Sequence, residues 1–285
     1  MMALAEVPEA GARGRVGDIY ADIRATLRVP VVNTIYRQLA VMPEALEWAW
    51  LSVRPHLLSG AVARQAEVLR RDVQRVLDVS RPAALPANVV VPLRQKRDAA
   101  NVVQGYELAN RMNLVCFTHL LRQPGVGRSA ANQPWAIKDH TQAASGAAML
   151  PAALPPMPEL ADLAPEVLAR VQRLNRLGEY AEPRAVAGLY RHLAVWPQFL
   201  EAVEAWLTPW NQSGVLLKLR ETALDSVARQ ARLHPLRMQA PDARVELQFR
   251  GQLQLFSGVV IPKMIPVGLL LDNWLHRSEA GKIAC

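Results

Sequence analysis

Apolar positions recur along this chain at helical spacing. Ile19, Tyr20, Ile23 and Leu27 fall on one face of a 3.6-residue period. Pro30 predicts the end of that helix, because the residue before a proline is pushed out of the α region. Tyr36, Leu39 and Ala40 mark a second helix. Pro43 suits the first turn of a third, where its missing N–H costs nothing. Leu46, Trp50 and Val53 give that helix its apolar face and Pro55 its predicted end. Val62, Ala66, Leu69, Val73 and Val76 form a 4-3-4-3 stripe on a fourth, and a last helix is expected over roughly Glu107 to Leu121.

The same order then returns. Pro165 opens a helix with Val167, Leu168, Val171, Leu174 and Leu177 on its face, and Gly178 suits its C-terminal cap. YRQLAVMP (36–43) aligns with YRHLAVWP (190–197) at an offset of 154, and eight of twelve positions are identical across 36–47 and 190–201. The same offset pairs Pro55 with Pro209 and Ser59-Gly60 with Ser213-Gly214. Leu216, Ala223 and Val227 match the fourth helix, and Met264 to Leu275 matches the last one at an offset of 151. A register kept this long predicts two tandem copies of one helical module rather than a solenoid. The expected organisation is all-α: a first repeat over 1–122, a crossover linker rich in Pro, Gly, Ala, Ser and Gln over 123–160, and a second repeat over 161–285. Two β-like runs, 87–92 and 243–249, are expected to be extended loops or small local pairings.

Composition narrows the function classes. Hydrophobic residues make up 51% and charged residues 20%, the balance of a soluble protein with a substantial core. The net charge is +8, and 28 of the 33 basic residues are Arg. They are interleaved with acidic residues, as in Arg64, Glu67, Arg70, Arg71, Asp72 and Arg75, so the expectation is a solvated Arg-rich surface and no nucleic-acid partner. A mild positive field favours small anionic substrates. Cys116 sits in an apolar run and Cys285 is the last residue, which implies no disulfide framework and a reducing, cytoplasmic compartment. The first residues have no apolar signal core. Leu255 to Leu275 is the most apolar stretch, but it contains Pro262, Lys263, Pro266 and Asp272 and is expected as a buried terminal helix, not a membrane span.

Common catalytic signatures are missing. HExxH, CxxC and GxSxG do not occur, and the six His, at 56, 119, 140, 192, 234 and 276, lack metal-ligand spacing. GVGRSA (125–130) is half a dinucleotide fingerprint without its preceding strand and is expected as a plain loop. His119 and Cys116 lie three apart on an apolar helix and are expected in the core. His192, beside Arg191, is expected in a surface or packing role.

Four segments in order carry a resemblance: IYADIRATLRVPVVNTIYRQLA (19–40), YELANRMNLVCFTHLLR (106–122), LYRHLAVWP (189–197) and IPKMIPVGLLL (261–271). Together they resemble the helical group I 2-haloacid dehalogenase family, across nearly the whole chain. The resemblance implies an intrachain pseudo-dimer with the active site between the repeats, and a homodimer is compatible with it. It implies hydrolysis of a small 2-halocarboxylate, in which an Asp deprotonates water, an Asn assists, and the water attacks the halogen-bearing carbon directly. No metal or organic cofactor is implied. A carboxylate in an apolar pocket is a stronger base than one in water, which suits it for that step. The family's Asn is matched by Asn110 or Asn113, whose bland alternative is a helix N-cap. Pocket-lining residues are expected from Val31, Asn33, Thr34 and Tyr36. The position of the catalytic Asp aligns with Ala185, which accepts no proton. In one reading Glu182 is the base, its ordinary role being a solvated loop carboxylate; in a second the chain is an enzyme of the same fold with altered chemistry, with Arg184, ordinarily a surface Arg, binding a substrate carboxylate. The alternative is a non-catalytic, ligand-binding or structural relative.

Overall fold

A computed structural model of the chain describes residues 5–80, 93–122, 154–181, 183, 185–241 and 243–280; among them helices occur and strands do not. The chain is all-α. Helix α1 (Gly14–Leu27) buries Ile19, Tyr20, Ile23 and Leu27, the face its spacing predicts. It ends at Arg28 with φ 55, before Pro30. The short α2 (Thr34–Leu39) is buried along its whole length. Helix α3 (Pro43–Leu58) starts on Pro43 but runs through Pro55 instead of ending there. The proline removes one backbone donor close to the helix end, where the ladder is already finishing, and Ser59 N–H closes on the Pro55 carbonyl at 3.0 Å. Gly60 then turns the chain at φ 73, in the left-handed region open to glycine.

Helix α4 (Ala61–Val79) buries Val62, Ala66, Leu69, Val73 and Leu77, while Val76 is only partly buried. The stripe slips by one residue because a 3.6-residue turn drifts off a strict 4-3-4-3 repeat. Helix α5 (Leu93–Leu121) begins fourteen residues before its expected start at Glu107. Ala99, Val102, Val103 and Tyr106 are buried on that added length, at i, i+3, i+4 and i+7.

In the second half α6 (Pro165–Asn175), α7 (Gly188–Leu193), α8 (Pro197–Gln212) and α9 (Val215–Leu233) follow in the same order. The bounds of α7, α8 and α9 lie 154 residues after those of α2, α3 and α4. The last section differs. Helix α10 (Ala243–Leu255) passes through a π-helical turn (Phe256–Val260) into α11 (Ile261–Ala280). The β-like run at 243–249 is therefore helix. Its alternation is not used: Leu247 is 86% exposed, whereas Val245, Phe249, Leu253 and Phe256 are buried at helical spacing. The run at 87–92, the loop at 125–130, residues 123–153 of the expected linker and Cys285 lie outside the described residues.

The halves meet over α4 and α5 from the first and α9 and α11 from the second, and α4 packs on α9 as α5 packs on α11. Asp72 on α4 accepts a hydrogen bond from the Ser226 hydroxyl on α9 at 2.6 Å. A Cβ on Gly268 would lie 3.1 Å from Glu107 Cγ, so α5 and α11 approach closely there. The helical run 249–276 is long and apolar enough to cross a membrane by length and composition, with an 18-residue window of mean hydropathy 1.6, but 78% of that window is buried inside the protein. It is the central core helix.

Charge distribution departs from the expected solvated surface. Arg37, Arg111, Arg191 and Arg220 are buried. Arg37 and Arg191, 154 positions apart, share the Glu6 carboxylate at 2.9 and 3.0 Å. Glu159 also reaches both, at 3.6 and 3.1 Å. Arginine stays charged when buried and holds carboxylates through several fixed donors, which suits it for such a cluster. Cys116 and His119 are buried, as expected of core residues, and His192 is buried with Nε2 2.7 Å from the Pro155 carbonyl.

Candidate functional site

A small cavity of about 20 Å³, partly open to solvent, lies between the start of α2, the middle of α5, the start of α7 and the π turn with α11. Its polar wall comes from the first half. Asn33 precedes α2 and Thr34 opens it, and α5 contributes Tyr106, Asn110 and Asn113. Asn110 and Asn113 are three residues apart and share a helix face, so both reach the cavity. Neither is an N-cap, because α5 starts at Leu93. Asn113 is completely buried, and its Oδ1 accepts the Tyr36 hydroxyl proton at 2.9 Å. Burial holds the Tyr36 phenol far above its ordinary pKa, so it stays a donor. Three buried polar atoms here make no hydrogen bond to the described residues: Asn33 Oδ1, Thr34 Oγ1 and Asn113 Nδ2. An orphaned polar atom costs about 1–3 kcal/mol, so three on one wall mark a surface made for a polar guest.

The second half supplies an apolar wall of Ala187, Leu189, Phe256, Val260, Ile261 and Met264. The π turn carries Phe256 and Val260 into it; such turns re-aim side chains within a helix and recur at functional sites. Gly188 sits where the halves touch: a Cβ there would lie 2.8 Å from Thr34 Oγ1 and 3.2 Å from the Tyr106 hydroxyl. Any larger residue would push α7 away from the first half.

The structure brings four sequence candidates, Asn33, Thr34, Asn110 and Asn113, to one wall, with Tyr36 behind Asn113. Val31 is not on the cavity wall and packs against the core instead. Ala185 is buried, and its carbonyl accepts Asn175 Nδ2 at 2.9 Å. Glu182 and Arg184 lie outside the described residues. Among the described lining residues there is no carboxylate, imidazole, ammonium or guanidinium. Tyr106 is the one group there with an acidic proton, and burial raises its pKa. No cluster of three or more His, Cys, Asp or Glu that could hold a metal occurs among the described residues. Sequence reasoning missed Tyr106, Gly188, Phe256, Val260, Ile261 and Met264. Ile261 and Met264 had a signal, since both lie in IPKMIPVGLLL (261–271), one of the four segments that carry the resemblance.

No protein-family model matches the chain. It is 37% identical over 73 residues to an (R)-2-haloacid dehalogenase of Rhizobium sp. (strain NHG3), a match covering 25% of this chain and 28% of that relative. It is 41% identical over 49 residues to an (R)-2-haloacid dehalogenase of Pseudomonas putida, covering 17% of this chain and 16% of that relative. Each match thus spans less than a third of the curated relative's length. Among solved structures, a D-2-haloacid dehalogenase mutant in complex with D-2-CPA superposes with a TM-score of 0.66 at 17% identity, covering 97% of this chain and 96% of that one. A D-2-haloacid dehalogenase in complex with L-LA superposes with a TM-score of 0.64 at 18% identity over the same shares. The fold is that of the D-2-haloacid dehalogenases, and two short stretches of the sequence are similar to (R)-2-haloacid dehalogenases.

Proposed function

We propose that the cavity takes a small 2-substituted carboxylate of the halo-acid type and binds it without hydrolysing it. The supporting observation is the two-faced lining. Asn110 and Asn113 offer amide donors to a carboxylate, while Phe256, Val260 and Met264 face it with an apolar surface suited to a short alkyl chain or a halogen. No base stands among the described lining residues, and alanine holds position 185. Removing a general base typically slows a reaction by roughly 10²- to 10⁴-fold. This reading treats 1–122 and 161–285 as two copies of one module, joined by 123–160 into an intrachain pseudo-dimer with the cavity at its seam. It requires no cofactor.

The competing reading is a working dehalogenase in which Glu182 deprotonates a water held by the orphaned Asn113 amide, and that water displaces the halide. Binding calorimetry and halide release with each enantiomer of 2-chloropropionate separate the two. The binding reading expects measurable affinity, no halide from the wild type, and halide release from Ala185→Asp at least about 10²-fold above it. Halide release by the wild type that Glu182→Gln abolishes would establish the hydrolase and overturn the binder. An absence of affinity for either enantiomer would overturn both.

A further inference from the structure

We infer that Asn175 and Lys263 are positioning residues, forming a buried clamp that sets the second-half wall of the cavity. The assignment rests on the cavity being a ligand site. Asn175, the last residue of α6, is fully buried. Its Nδ2 donates to the Ala185 carbonyl at 2.9 Å, and its Oδ1 accepts the Ala187 N–H at 3.0 Å. One side chain therefore holds the backbone on both sides of Val186. The next residues, Gly188 and Leu189, line the cavity, and Gly188 meets Thr34 of the other half.

Lys263 grips the clamp from α11. Its Nζ donates to the Asn175 carbonyl at 2.6 Å and to Asn175 Oδ1 at 3.3 Å, and it pairs with Glu179 at 2.9 Å. An ammonium has three protons, and three acceptors surround this one. Both partners of the ion pair are buried, with side-chain exposures of 1% and 6%. Gly178, at φ 70, turns the chain so that Glu179 can reach Lys263. The neighbours of Lys263 include Ile261 and Met264, which are themselves cavity wall. One polar network thus ties the 185–188 segment to the α11 wall. Buried charges and amides are retained at a desolvation cost that apolar residues would avoid, so their value here is geometric specificity.

Two variants test the clamp: one adds a buried carboxylate beside Lys263, and the other removes the Lys263 and Glu179 charges together. Asn175→Asp keeps an acceptor for Ala187 and Lys263 but cannot donate to Ala185. It should lower 2-chloropropionate affinity about tenfold while the Ala187 amide stays protected, with a fall in Tm from the added buried carboxylate. The double variant Glu179→Leu with Lys263→Met removes both charges together. It should keep a cooperative thermal transition, speed hydrogen exchange at the Ala187 amide about tenfold, and lower affinity similarly. A residue serving stability alone would shift Tm without changing affinity or local exchange. Wild-type affinity and wild-type exchange in both variants would overturn the clamp. If the wild-type protein binds no 2-chloropropionate, the functional reading fails separately. Exchange at Ala187 in the double variant then decides the clamp alone: a tenfold rise supports it, and no rise overturns it.

Discussion

In the first half Tyr36 gives its hydroxyl proton to Asn113; in the second half Tyr190, 154 positions later, is equally buried and its hydroxyl makes no hydrogen bond to the described residues. The residue 151 positions after Asn113 is Met264, a thioether where the first half has an amide. The same contrast extends over the cavity, with Asn33, Thr34, Asn110 and Asn113 on one side and Phe256, Val260, Ile261 and Met264 on the other. At the Arg37–Arg191 cluster the halves instead match. There Glu6 and Glu159 each reach both arginines. A cavity wall is freer to diverge, because each face needs to suit only a ligand. The two walls give the pocket a polar end and an apolar end.

The first way to break this comparison is at the matched arginines, where the largest effect is expected. Arg191→Met leaves Glu6 with one arginine and removes the donor to Glu159 and the Pro158 carbonyl. Breaking a buried ion pair from one side costs about 3–5 kcal/mol. Arg37→Met should cost less, because its link to Glu159 is longer, at 3.6 Å, and its further contact is a long one to Met157 Sδ at 4.0 Å where Arg191 donates to the Pro158 carbonyl at 3.2 Å. The double variant should lose more than the sum, since either arginine alone still neutralises the buried Glu6 carboxylate and only the double variant strands it. Urea unfolding of the three variants measures this. Additive losses would show that the two arginines act independently.

A second contrast is acid sensitivity at His119, which is pushed down to about 4, while burial also lowers His192 in the second half. His119 on α5 has Leu270 as the residue 151 positions later. Burial, aided by the positive fields of His56 and Arg122, pushes His119 down to about 4. The Leu236 N–H points at its Nδ1 at 3.3 Å and Gln65 Oε1 lies 2.9 Å from Nε2, the pattern of a neutral ring. In the unfolded chain the ring has its ordinary pKa of 6.5. Between these values the unfolded state takes up a proton that the folded state refuses. Stability is therefore full above about pH 6.5, falls as pH drops toward 4, and levels off below. The loss should be about 2 kcal/mol after allowing for solvent near the ring. Unfolding free energies measured from pH 7 to 4 should show this slope, and His119→Gln should flatten it.

The helices were legible because their apolar stripes and prolines are local signals; even the added length of α5 had Ala99, Val102, Val103 and Tyr106 at helical spacing. The run 243–249 misled because V-E-L-Q-F alternates over five residues, too short to expose the helical period that Leu253 and Phe256 complete. On the polar wall, Asn33, Thr34, Asn110 and Asn113 could be named from a family pattern. The apolar wall depends on a π turn, which re-registers side chains without a distinctive sequence. The clamp lay further out of reach. Asn175 and Lys263 are 88 positions apart, and neither residue alone differs from a helix end or a stray lysine.

The two tyrosines give the smallest effect and the sharpest comparison, because the same atom is removed at matched positions. Tyr36→Phe leaves Asn113 Oδ1 without its donor in a fully buried site. Stranding a buried acceptor costs about 1–3 kcal/mol, with the lower end expected here because the cavity lies beside it. Tyr190→Phe removes a hydroxyl that has no partner to lose among the described residues, so its desolvation cost disappears with it. That variant should be neutral or slightly more stable. The Tyr36 variant should also loosen the Asn113 amide and weaken 2-chloropropionate binding, whereas the Tyr190 variant should leave affinity unchanged. Equal losses of stability in the two variants would mean that the polar chemistry of the cavity is not confined to the first half. Paired denaturation curves and paired titrations decide it, since every difference between these two substitutions arises from what faces the hydroxyl.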